Sequence, residues 1–202
     1  MIITAKAVKS PVLFLIENFN FLCYNKSRKI KEDFYMLHIY TDGSSRGNGK
    51  DTSQGGYGIV IFDDNNVLID AYCEQFDNVT NNQMELKAIL KSFELLDTKY
   101  KGEKATIYSD SAYCLNILTS WIHSWSKNNW KNNKGVTVKN LDIIISLYNY
   151  YIKDFFISQI DFVKVKGHIG NVGNELADAL STADKLKFSR LILQNNIHIE
   201  IL

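Results

Sequence analysis

Residues 37–49 read LHIYTDGSSRGNG: an alternating strand pattern, with Leu37 and Ile39 apolar and Tyr40 beside them, arrives at Asp42 and then runs into glycines, serines and an asparagine. The alternation predicts a β-strand ending at Asp42, which makes that carboxylate the first candidate site residue. Gly43, Gly47 and Gly49 allow the backbone to approach a ligand closely, while Ser44, Ser45, Arg46 and Asn48 offer donors suited to phosphate. On its own an Asp-Gly pair most often marks a hairpin turn. The meaning of Asp42 therefore depends on what the rest of the chain brings to it.

Downstream, Gly56–Phe62 and Val67–Phe76 read as two further strands joined by the turn-like run Asp63-Asp64-Asn65-Asn66, which with the first strand predicts an antiparallel meander. Thr80 is a plausible N-cap for a helix whose stripe is Met84, Leu86, Ala88, Ile89, Leu90, Phe93, Leu95 and Leu96. Ala105–Ser109 is a short strand ending at Asp110, followed by a helix over Ala112–Trp121. A helix over Val138–Tyr151, a strand over Ile160–Val165, a loop at Gly167-His168 and a helix over Glu175–Leu186 complete the pattern. Strand-helix alternation in the second half implies parallel additions to the sheet. The predicted class is α/β, in the α+β mixed sense: a five-stranded mixed sheet, three antiparallel strands then two parallel ones, with helices on both faces.

The 202 residues are 46% hydrophobic and 22% charged, the composition of a globular protein with a substantial core. The formal net charge of +1 conceals a segregation. No acidic residue occurs between Asp110 and Asp142, whereas Lys127, Lys131, Lys134 and Lys139 all fall there, predicting a local positive face. Cys23, Cys73 and Cys114 form an odd set without metal-ligand spacing and suggest neither a disulfide framework nor a zinc site. The early apolar run Val12–Ile16 is interrupted by Glu17 and Asn18, far short of the roughly 20 residues a spanning helix needs. Residues 1–35, with Pro11 and the basic run Lys26, Arg28, Lys29 and Lys31, are expected to be an extension to a domain at 36–186, and 187–202 a tail with no evident partner. The lack of a cleavage site argues against secretion, so a cytoplasmic location is expected, with organellar targeting left open.

Asp42 and Asp110 close two predicted strands, and Glu85 lies in the first turns of a helix. Strand ends in such a sheet converge on one edge, where helix starts also meet. Carboxylates gathered there repel one another unless their protons are retained or hard cations bind between them, and Mg²⁺ favours such an oxygen-rich site. Asp178 in the last predicted helix is a possible fourth ligand.

The segments YTDGSSRGNG, TNNQMELKA, YSDSAYCLN, WIHSWSKNNW and VKGHIGNVGNELAD, in this order over roughly Leu37–Lys185, resemble type 1 ribonuclease H. The resemblance implies the ribonuclease H-like fold, four metal-binding carboxylates at Asp42, Glu85, Asp110 and Asp178, and a mobile-loop histidine at His168. It implies hydrolysis of the RNA strand of an RNA/DNA hybrid with two Mg²⁺ ions, Mn²⁺ being able to substitute, leaving 5′-phosphate and 3′-hydroxyl ends. Asn81 and Asn82 match the family's groove-contacting pair, with Ser45, Asn48, Thr80 and Gln83 placed to touch sugar, phosphate or base edges. Trp121–Lys139 resembles its basic protrusion, Lys127, Lys131 and Lys134 reaching phosphates. The expected enzyme is a monomer with no obligate protein partner and no membrane association. Two other readings are a hybrid-binding module without chemistry and a DNA-directed member of the wider nuclease superfamily. Retention of four carboxylates argues against the first, and Asn81-Asn82 with the lysine-rich protrusion against the second.

Overall fold

The computed structural model describes residues 36–47, 52–167 and 170–199. Five strands form one mixed sheet in the order β3-β2-β1-β4-β5: β1 (Met36–Arg46), β2 (Gln54–Phe62), β3 (Leu68–Asp77), β4 (Lys104–Ser109) and β5 (Ile160–Lys164). The meander β1-β2-β3 is antiparallel, and β4 and β5 add in parallel, as the sequence pattern predicts. Helix α1 (Asn81–Asp97) leads into β4. Helix α2 (Ala112–Asn116), a π-helical turn (Ile117–Trp121) and α3 (Ile122–Lys127) then run on without a break. Helices α4 (Leu141–Tyr151) and α5 (Asp154–Ile157) precede β5, and α6 (Val172–Ser181) and α7 (Lys185–Gln194) follow it.

Strand β2 shows how the sheet is covered on both faces. Its alternate side chains Ile59 and Ile61 enter one apolar cluster with Ile39, Leu86, Ile89, Phe93, Ile107, Ile144 and Leu147, beneath α1 and α4. The intervening Val60 and Phe62 enter a second, with Leu176, Ala179, Leu180, Phe188, Leu191 and Ile192, beneath α6 and α7. A period of two with both registers apolar is what a strand buried on both sides requires.

The C-terminal segment departs from expectation. Instead of one helix over Glu175–Leu186, α6 stops at Ser181, Ala183 takes a left-handed conformation (φ 54°), and Asp184 caps α7 by accepting from the Lys187 N–H. Phe188, Leu191 and Ile192 of α7 complete the second cluster, and beyond it the Leu68 N–H donates to the His198 carbonyl on the β3 edge. The tail therefore has a partner in the sheet. Cys114 is a free, buried thiol, whereas Cys73 is disulfide-bonded, which the odd cysteine count does not suggest. Among the described residues no helix is long and apolar enough to cross a membrane.

Candidate active site

The site is created by the point at which β4 ends. The parallel register of β1 and β4 runs from Met36↔Lys104 to Thr41↔Ser109 and stops there. The next residue on each strand is an aspartate, Asp42 on β1 and Asp110 after β4. Strand β1 itself continues to Arg46, with Asp42↔Gly58 and Arg46↔Gln54 still paired to β2. Asp42 is thus inside its strand rather than at its end, and Asp42-Gly43 is not a turn. Its neighbour β4, not β1, opens the edge.

Glu85 reaches the same point from α1. The start of that helix is set by a capping box: the Gln83 N–H donates to Thr80 Oγ1 at 3.3 Å, and the Thr80 N–H donates to Gln83 Oε1 at 2.8 Å. The helix lies so close to β1 that a Cβ on Gly43 would sit 2.1 Å from the Glu85 backbone nitrogen. On the opposite face, a Cβ on Gly58 would sit 2.0 Å from the Ala177 carbonyl oxygen. These two glycines let helices from both sides close on Asp42.

Asp42, Glu85 and Asp110 each offer a carboxylate oxygen, all within 4.8 Å of one another. Asp42 and Glu85 are buried and Asp110 is partly so. Burial, reinforced by the charges of Asp42 and Asp110, raises the Glu85 pKa well above its ordinary value, against a smaller opposing pull from the Gly43 backbone. Glu85 Oε2 is buried with no hydrogen-bond partner. A buried carboxylate oxygen without a donor, facing two further carboxylates, fits a divalent cation ligated by oxygen.

Asp178 is not within that three-carboxylate group. It lies on α6, where its backbone carbonyl accepts from Ser181 Oγ (3.0 Å) and Thr182 Oγ1 (2.9 Å) and its side chain pairs with Lys187. Ser181 Oγ is also 2.6 Å from Asp42 Oδ2, so one hydroxyl links α6 to the cluster. Ser181 is a site residue that sequence reading missed, although its i+3 spacing from Asp178 puts both on one helical face. His168 and Asn48 lie outside the described residues. Gly167, the last described residue before His168, packs on Asp110: a Cβ there would sit 2.5 Å from Asp110 Oδ2.

The substrate-side residues differ in exposure and in the local structure that carries them. Asn81 and Asn82 are exposed on the first turn of α1, one turn from Glu85. Thr80 and Gln83 form the capping box, and Ser45 Oγ donates to the Val79 carbonyl at 2.8 Å, holding the segment ahead of α1. Lys127, Lys131 and Lys134 are exposed on a protrusion built from α3 and a following loop. That loop is closed by the bridge Lys131↔Thr137 and by the Val138 N–H donating to the Trp130 carbonyl at 3.0 Å. A groove of about 560 Å³ runs along it, lined by Trp121, Trp125, Asn132, Asn133 and Lys134 among others.

The RNase H family model matches residues 35–185. Ribonuclease H of Orientia tsutsugamushi (strain Boryong) is 36% identical over 159 residues, covering 79% of this chain and 88% of its own. Ribonuclease HI of Pasteurella multocida (strain Pm70) is 37% identical over 149 residues, 73% of this chain and 88% of its own. Among solved structures, LC9-RNase H1, described as a type 1 RNase H with the type 2 active-site motif, superposes with a TM-score of 0.65 at 19% identity, covering 85% of this chain and 89% of its own. The foamy virus RNase H domain gives 0.61 at 21% identity, over 76% and 96%. With the carboxylates of β1, α1 and β4 gathered at one sheet edge and relatives of this identity spanning the domain, the chain belongs to the ribonuclease H family, enzymes that cleave the RNA of RNA/DNA hybrids.

Proposed function

We propose that the enzyme hydrolyses the RNA strand endonucleolytically to 5′-phosphate and 3′-hydroxyl ends, with Asp42, Glu85, Asp110 and Asp178 holding two Mg²⁺ ions, Mn²⁺ being able to substitute. The observation that carries this reading is the buried, unpartnered Glu85 Oε2 facing Asp42 and Asp110. When bound, the ions supply an activated water and charge stabilisation of the leaving oxygen. The chain's own work is placement. Ser181 holds one oxygen of Asp42, the β1-β4 register sets Asp42 beside Asp110, and the Gly43 contact brings up Glu85. His168, one residue beyond the Gly167 that abuts Asp110, takes the proton-transfer or product-release role, being titratable near neutral pH. Asn81 and Asn82 feel the hybrid's groove beside Glu85, with Ser45, Thr80 and Gln83 along the same rim and Asn48 as a further substrate contact, and the protrusion lysines hold phosphates.

Asp110→Asn tests the reading because it removes charge with almost no change in size. Magnesium-dependent cleavage is expected to fall by at least about three orders of magnitude, roughly 4 kcal/mol in the barrier. Hybrid affinity measured in calcium should change little, since the proposed groove and phosphate contacts lie elsewhere. Near-normal cleavage by the folded variant would overturn the carboxylate assignment.

A further inference from the structure

Lys187 lies just beyond the segment that matches the family model, which ends at residue 185. Its ammonium nevertheless pairs with Asp178 Oδ2, on the helix that Ser181 links to Asp42. The position is built rather than incidental. The Lys187 N–H is held by Asp184 Oδ1 at 2.9 Å, and the next residue, Phe188, is 1% exposed in the cluster that fastens α7 to α6 and β2. Meanwhile the Asp178 backbone is tied through Ser181 to Asp42, so one hydroxyl links the helical turn that carries Asp178 to the cluster, and the Asp178 charge is answered by the chain's own cation.

We propose that Lys187 is a positioning residue that occupies Asp178 in the metal-free enzyme and is displaced from it by the divalent cation, so that α7 sets the metal concentration at which the site fills. The proposal rests on the reading of Asp178 as a metal ligand. The exposures of the two side chains, 40% for Lys187 and 15% for Asp178, describe a pair at the edge of solvent. Such pairs contribute little stability, so a divalent ion breaks this one readily and the competition is modest in size. Lysine suits the role as a point charge on a flexible stem, able to leave without disturbing the helix that carries it.

The test is calorimetric titration of Mg²⁺ into the full chain without substrate, comparing wild type with Lys187→Met, Lys187→Arg, Asp178→Asn and the double variant Asp178→Asn/Lys187→Met, each checked for a cooperative thermal transition. Lys187→Met should bind metal about two- to five-fold more tightly, the magnitude expected when an exposed ion pair no longer has to be broken. Lys187→Arg should keep wild-type affinity, Asp178→Asn should bind more weakly, and adding Lys187→Met to Asp178→Asn should change nothing further. Wild-type or weaker affinity in Lys187→Met, alongside weakened Asp178→Asn, overturns the role of Lys187 alone. Unchanged affinity in Asp178→Asn overturns Asp178 as a ligand and this proposal with it.

Discussion

Glu85 sits where burial and neighbouring negative charge act on one carboxyl. Its carboxyl is buried at the second turn of α1 beside two other carboxylates, and its pKa is driven up by that burial first and by Asp42 and Asp110 next. Without metal the folded state therefore binds the Glu85 proton at pH values where the unfolded chain has released it. The sign follows from linkage: this contribution to stability is fully present below the ordinary carboxyl pKa of 4.5 and is lost as pH rises through the elevated folded-state value. Metal-free Glu85→Gln should accordingly be more stable than metal-free wild type at neutral pH, with a Tm higher by a few degrees, each kcal/mol being about 2–4 °C in a domain of this size. The gap should close in acid. Saturating Mg²⁺ should raise the wild-type Tm and leave the variant's nearly unmoved. Calorimetry across pH, with and without metal, measures all three outcomes.

At the scale of elements, the protrusion separates anchoring from binding. Trp125 and Trp130 pack against the main core, and Trp130 meets Tyr148 edge-on with ring centroids 5.2 Å apart, while Trp121 is 37% exposed at the groove. The lysines, by contrast, stand in solvent. The π-helical turn joins α2, which starts directly after Ser111 and so two residues beyond Asp110, to α3, and the protrusion is thereby fastened to the same strand end that supplies a carboxylate. Replacing Lys127, Lys131 and Lys134 together by alanine should raise KM with little change in kcat. The salt dependence of hybrid affinity should flatten by roughly 0.9 in log-log slope for each phosphate that is no longer neutralised. An unchanged slope would remove this segment from the binding surface.

For the whole molecule, the two apolar clusters on opposite sheet faces make the C-terminal helix part of the folded unit. Phe188 is among the largest fully buried side chains, between α6, α7 and the outer face of β2. Phe188→Ala should destabilise the protein by about 3–5 kcal/mol, the usual cost of emptying such a site. Urea unfolding gives the value directly, and a loss below about 1 kcal/mol would show that α7 only rests on the domain.

Alternation in 37–41, the apolar run 59–62 and the helical stripe from Met84 to Leu96 were enough to determine the strands and the main helix, because the periodicity that marks the buried face of an element is carried by residues near one another in the chain. Asp42, Glu85 and Asp110 were legible for the same reason, each standing at a fixed offset from a patterned element. Other features depend on partners distant in sequence. That β1 runs on past Asp42 reflects where β4 stops, which nothing in β1 encodes. The break at Ala183 has no signal in the sequence, because a left-handed alanine has no glycine to announce it. Ser181 against Asp42 and Lys187 against Asp178 are contacts between segments whose meeting is decided only by sheet register and by how closely Gly43 and Gly58 let the helices approach. The chemistry available was written in residue types and local spacing; which charges face one another was decided by tertiary packing, because electrostatic interaction depends on distance in space and not along the chain.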